Sequence, residues 1–192
     1  MFSTDAHDVA KHFNLLSYLF FSSAAVLFSL FLTIPNLDEA ASTQFLESSY
    51  ETVNVPGFSI PFQVKELPDP FICERSSYTY KSILAVCQKS SLFDGVIMNP
   101  FTDLEPEAIR VLQDREKPSV YPVGPIIRNE SNNETGIIKR EEVVKAIKKI
   151  MEGDDSFEIR KKIKELSVGA ETVLTEHGSS RKALSNLALK WH

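Results

Sequence analysis

Apolar positions change their spacing several times along the chain, and each change predicts an element. Over residues 2–13, Ala6, Val9 and Phe13 share one face, which predicts a helix with Ser3 or Thr4 as its cap. Residues 15–21 are apolar without alternation, as in a parallel strand buried on both faces. Ser22 and Ser23 then stand where they can cap a buried helix over residues 24–32, and Pro35 is expected to end it. Residues 38–53 are polar and read as a loop with a helical turn. Val55, Pro56, Gly57 and Phe58 form a turn signal, because proline presets one dihedral and glycine permits a positive φ. Residues 60–70 hold Pro61, Pro68 and Pro70, so an irregular surface run is expected there.

The second half is more regular. Tyr80, Ile83, Leu84 and Cys87 share a face and predict a helix over residues 76–89. Residues 95–99 read as a short buried strand. Residues 103–113 read as a helix, with Asp103, Glu105 and Glu107 near its positive end and Pro106 in its first turn. A last strand is expected over residues 119–123. Residues 129–136 are polar and linker-like. Two glycosylation sequons begin at Asn129 and Asn133, and carry little weight in a chain without a secretory signal. Three helical stripes follow: Val143, Val144, Ile147, Ile150 and Met151; then Ile159, Ile163, Leu166, Ala170, Val173 and Leu174; then Ala183, Leu184, Leu187 and Ala188. Gly153 and Gly178 stop the first two, and Ser179 or Ser180 caps the third.

Two readings fit the apolar residues 15–33. Their length approaches the ~20 residues of a membrane-spanning helix. A strand, a two-serine turn and a helix account better for the Ser22 and Ser23 pair. Asp5, Asp8 and a lone Lys11 upstream are unlike the positive start of a secretory signal.

Composition narrows the function classes. The 192 residues are 43% hydrophobic, enough for a core, and the net charge of −5 argues against a nucleic-acid partner. Cys73 and Cys87 are too few for a disulfide framework and lack nearby histidines for a zinc site. None of the seven glycines sits in a phosphate-cradling motif, and no G-x-S-x-G elbow occurs. The densest polar cluster is Asp5, His7, Asp8 and His12. Asp8 and His12 lie four apart, so they form either a base pair of the kind that abstracts protons or a surface ion pair, with the surface pair favoured. Phe20, Phe21, Phe28 and Phe31 either line a pocket for a flat ligand or belong to the core, with the core favoured.

The segments FSTDAHDVAKHF, LPDPF, FDGVIMNPFTDLEPEAI, VYPVGP, IIKREEVVKAIKKIMEG and SSRKALSNLALKW together resemble plant family 1 UDP-glycosyltransferases of the hydroquinone glucosyltransferase (arbutin synthase) type. The resemblance spans nearly the whole chain in two blocks. It implies an α/β class and a partial GT-B fold: the second half of the N-terminal Rossmann-like acceptor domain over 1–128, a junction at 129–136, and the C-terminal helical tail over 137–192. It favours a cytoplasmic protein over a membrane-anchored one. It implies transfer of glucose from UDP-glucose, as co-substrate, to a phenolic hydroxyl with inversion, without metal or cofactor. Phe2 and Phe31 match acceptor-facing positions, and Ser22 and Ser23 match a turn near the transferred sugar. The family's catalytic His and the Asp that orients it would fall upstream of Met1, and its donor box, from W-A-P-Q through H-C-G-W-N-S, has no counterpart. Pro100 stands where Thr is usual. No catalytic residue is therefore assigned, and the expectation is a chain inactive alone. A phenolic-binding module, or one associating with a full-length relative through its sheet edge, is the alternative.

Overall fold

The computed structural model describes residues 4–40, 52–126 and 156–190. Its centre is a three-stranded parallel sheet in the order β1 (Tyr18–Phe21), β4 (Gly95–Met98), β5 (Ser119–Pro122). The register sets Tyr18 beside Gly95 and Gly95 beside Ser119. Gly95 is where the ladder needs room: a Cβ there would meet the Tyr18 ring at 2.7 Å.

Each strand divides its side chains between two faces, as the pleat requires. Leu19, Phe21, Val96, Met98 and Val120 enter the main core, while Tyr18, Ile97, Tyr121 and Val123 face the other side. The main core is closed by α2 (Ala25–Ala40), α4 (Tyr78–Ser90) and α5 (Pro106–Gln113). Phe21 meets Phe28 and Phe31 edge-on at 5.0 and 5.5 Å, and Phe31 meets Phe71 at 5.7 Å, the arrangement that ring quadrupoles favour. The opposite face is covered by α7 (Ser179–Leu189), whose Leu187 packs on Tyr121 and Val123. Phe20, on that face of the edge strand, stays 54% exposed. Of the stripe on α6 (Ser156–Val173), Val173 is buried, while Ile163 stays exposed.

Several expectations need correction. The first helix, α1 (Ala6–His12), buries His7 and leaves Val9 and Phe13 exposed. Its inward face follows Thr4 and His7, three apart, because the following strand approaches from that side. Helix α2 runs through Pro35 instead of ending there. Ile34 beside it is buried, and the far end is clamped: the Asp38 carboxylate accepts from Tyr80 Oη and Arg75, both at 2.7 Å. Tertiary packing outweighs the one hydrogen bond that proline forgoes. Ser22 and Ser23 do not cap α2, since its first free N–H groups, on Ala25 and Val26, both donate to Glu105, each at 3.0 Å. The proline-rich run is ordered: β2 (Thr52–Val53) pairs antiparallel with β3 (Phe62–Gln63), and a 3-10 turn over Val64–Glu66 leads to α3 (Asp69–Ile72). Gly178 precedes α7 as its N-cap, leaving Ser180 free to bond elsewhere.

The remaining elements follow the pattern of the sequence. Ser77 caps α4 by accepting from Tyr80 N at 3.2 Å, and Pro106 opens α5. The turn at Pro56 and Gly57 closes through Phe58 N to Val55 O at 3.0 Å, with Gly57 at φ 84°. Gly57 also lies against α5, where a Cβ would sit 2.5 Å from Ala108 Cα. No described helix is long and apolar enough to cross a membrane. The linker-like stretch 129–136 and the first tail stripe, Val143 to Met151, lie outside the described residues.

Replacing Glu105 by Ala strands two helix N–H groups and is expected to cost about 2 kcal/mol. Chemical denaturation measures this. Glu107→Ala, on the exposed side of the same turn, is the control and should shift the midpoint far less.

Candidate functional site

In open parallel sheets the loops at the strand C-termini frame the ligand crevice. Here those loops are Ser22 and Ser23 after β1, Asn99 to Phe101 after β4, and Val123 to Pro125 after β5. They are joined side to side. Asn99 N donates to Phe21 O at 3.3 Å, Val123 N to Met98 O at 2.9 Å, and Ile126 N to Asn99 Oδ1 at 2.7 Å. Gly124 lies so close to the Asn99 carbonyl that a Cβ would overlap it. From the tail, Ser180 Oγ donates to the Gly124 carbonyl, bringing α7 to the same edge.

Between the first turns of α2 and α5 and the Pro56 turn lies a mainly apolar cavity of about 200 Å³, lined by Val26, Gly57, Phe58, Leu104 and Ala108, with Glu105 and Glu107. That volume suits one aromatic ring, since a dry cavity of ~150 Å³ holds benzene. Phe58 is oriented by stacking on Phe62, 4.6 Å away and 13° from parallel.

Ser22 and Ser23 are exposed at this edge. Phe31, Phe21 and Phe28 belong to the core, and Phe31 is 3% exposed and lines none of the described cavities. Phe2 lies outside the described residues. Asp8 and His12 do not meet. Lys89 reaches across from α4 to Asp5 and Asp8, at 2.6 and 2.9 Å, and lowers the Asp8 pKa through its hydrogen bond and charge. His12 instead lies edge-on to Phe13. His177 is exposed between α6 and α7. Cys87 is fully buried, and desolvation pushes its thiol up to about 12; Cys73 is half-buried. No group of three ligating side chains that could hold a metal occurs among the described residues.

The opposite edge of the sheet holds a network that sequence patterning misses. Asp94 precedes β4, and its Oδ2 accepts from Ser17 N at 2.9 Å and Ser17 Oγ at 3.1 Å. Ser17 Oγ lies 2.9 Å from His7 Nδ1. The serine proton is given to Asp94, so His7 donates to Ser17 through Nδ1. The His7 Nε2 is buried without a partner, and the ring packs on Phe93 at 5.3 Å. The backbone hydrogen bond from Ser17 holds the Asp94 pKa below the usual carboxylate value, with the Ser17 hydroxyl and the charge of Lys117 helping and desolvation opposing.

The chain is 38% identical over 135 residues to a hydroquinone glucosyltransferase from Rauvolfia serpentina, and 39% identical over 129 residues to UDP-glycosyltransferase 72B1 from Arabidopsis thaliana. These matches take in 69% and 66% of this chain. The solved structure of a UDP-glucosyltransferase from Polygonum tinctorium superimposes with a TM-score of 0.83 at 23% identity, covering 98% of this chain and 73% of that one. Medicago truncatula UGT71G1, complexed with UDP-glucose, gives 0.56 at 26% identity, covering 78% of this chain and 32% of that one. The chain belongs to the plant UDP-glycosyltransferase family. No protein-family model matches it.

As a UDP-glycosyltransferase chain it spans only 28% and 26% of the two curated relatives. Its parallel sheet with helices on both faces is part of the GT-B fold. Within that fold, the Asp94 anchor ties the start of β4 to the start of β1, and Glu105 ties their far ends through α2. The two carboxylates therefore brace the paired strands beyond both ends of their ladder.

Because the folded Asp94 pKa lies below 3.8, its contribution to stability is complete above that pH and is lost as pH falls through the lowered value. Urea midpoints followed through the acid range should show this limb, and Asp94→Asn should flatten it.

Proposed function

We propose that residues 1–128 are the acceptor-side half-domain of an inverting UDP-glycosyltransferase, with 137–192 as its C-terminal helical tail joined through 129–136. The whole enzyme would move glucose from UDP-glucose to a phenolic hydroxyl. This chain alone holds the phenol without transferring sugar. The observation that carries the reading is the 38% identity with hydroquinone glucosyltransferase over 69% of the chain. The cavity beside α2 and α5 supports it, having room for one aromatic ring and few polar groups. Ser22 and Ser23 stand on the same strand edge, where hydroxyls could approach the sugar.

Transfer needs a base at the phenol and a cradle for the diphosphate. The 192 residues contain no glycine-rich phosphate motif. Among the described histidines none is ion-paired with a carboxylate: His7 is tied to Ser17, and His12 packs on Phe13. A base lacking an orienting carboxylate is a poor proton acceptor for this task.

Calorimetric titration with hydroquinone should give saturable binding. Phe58→Ala and Leu104→Ala, both at part-exposed lining positions, should each weaken it about fivefold, equivalent to roughly 1 kcal/mol of lost apolar contact. Unchanged affinity in both variants would remove the cavity from the reading. Glucoside formed from UDP-glucose and hydroquinone by the purified chain would overturn the claim that it binds without transferring.

A further inference from the structure

The wall of the apolar cavity that carries Phe58 is a turn, and its attachment to the other walls is narrow. Val53 and Val55 anchor the chain before it in the core. The turn closes on itself through Phe58 N and Val55 O, and Phe58 leans on Phe62 of the same hairpin. None of these contacts ties the turn to the two helices that complete the cavity. Among the described residues that polar link is one hydrogen bond: Ser29 Oγ, on α2, donates to the Pro56 carbonyl at 2.7 Å. Beside it Gly57 rests on Ala108 of α5, a close contact without direction. A serine or threonine inside a helix commonly bonds back to the carbonyl one turn earlier, as Thr33 Oγ1 does to Ser29 O at 2.8 Å. Ser29, itself buried, gives its proton to the turn instead.

We propose that Ser29 is a positioning residue for this cavity and sets the size of the phenol it admits, a role that rests on the reading of the cavity as the phenol site. Its hydrogen bond draws the Pro56 turn against α2, and the turn holds Phe58 over a space for one ring. Pro56 and Phe58 are themselves exposed, so water lies next to the turn. Without the Ser29 hydroxyl the Pro56 carbonyl takes its hydrogen bond from that water. The turn then moves outward with Phe58, the cavity widens, and a fused second ring gains room while a single ring loses contact. The core is untouched, and alanine is the better helix former, so Ser29→Ala should fold normally.

The test titrates the parent chain and Ser29→Ala with hydroquinone and with 2-naphthol by calorimetry. Ser29→Ala should weaken hydroquinone about fivefold, the worth of one neutral hydrogen bond, and 2-naphthol much less, so the ratio of the two affinities moves toward the larger phenol. In a Phe58→Ala background the same substitution should leave that ratio unchanged, because Ser29 acts through the Phe58 ring. Amide exchange gives a readout without ligand. The Phe58 N–H should exchange faster in Ser29→Ala, while that of Ile109, bonded to Glu105 O on α5, should keep its parent rate. Ser29→Cys, a weaker donor of similar size, should fall between the two chains in both measurements. A parent chain that binds neither phenol would overturn the phenol reading and this role with it. Binding by the parent together with an equal loss for both phenols, an effect that persists without Phe58, or an unchanged Phe58 exchange rate would overturn the role of Ser29 alone.

Discussion

The arrangement of this chain depends on a carboxylate set against the start of a helix. Glu105 receives the N–H groups of Ala25 and Val26, one on each oxygen. The residue comes from the loop after β4, the helix from the turn after β1, about eighty positions earlier. Two charge-assisted bonds at a helix N-terminus satisfy donors that would otherwise be stranded beside the core, and the helix dipole adds to them. One side chain thereby fixes the start of α2 against the first turn of α5, and Ser29 of α2 in turn holds the Pro56 carbonyl. The apolar cavity exists because those three pieces are held together around it.

The aromatic core is the second determinant. Phe21, Phe28, Phe31 and Phe71 form a continuous edge-to-face chain from the sheet through α2 to α3. Much of the apolar run lines this one core, Leu19 and Phe21 from a strand and then Phe28 to Leu32 from a helix, while Leu15, Leu16 and Phe20 stay exposed. The buried helix and the Pro56 and Gly57 turn were legible because each has a local cause, whereas the first strand spans only Tyr18–Phe21 and is buried on one face, with Phe20 exposed on the other. Local causes also made α4, which Ser77 caps, and β5 legible, while α5 begins at Pro106, three residues later than expected.

Other features were illegible for reasons equally physical. The burial of His7 was not legible because α1 is short, and the face it buries is chosen by contacts with Ser17 and with the far-off Phe93. Pro35 looked like a stop because local chemistry says so, while Asp38, Tyr80 and Arg75 hold the next turn in place. The pairing of β2 with β3 rests on two residue pairs, too few for any alternation to show. Glu105 was read as a favourable charge near α5, whereas its partners are on α2. Of the candidate site residues, Ser22 and Ser23 lie exposed after β1 and Phe31 lies in the core. The family was legible from motifs such as FDGVIMNPFTDLEPEAI, while the long-range contact of Glu105 with α2 was not.

Cys87 carries a different consequence. Its sulfur is sealed between α4 and the core, and desolvation keeps it a thiol far above physiological pH. Alkylating reagents act on thiolates that they can reach, so they meet this one only when α4 lifts from α2. The residue is a built-in clock for that excursion, and its labelling rate reads the frequency of local breathing in a part of the molecule where no other probe need be added.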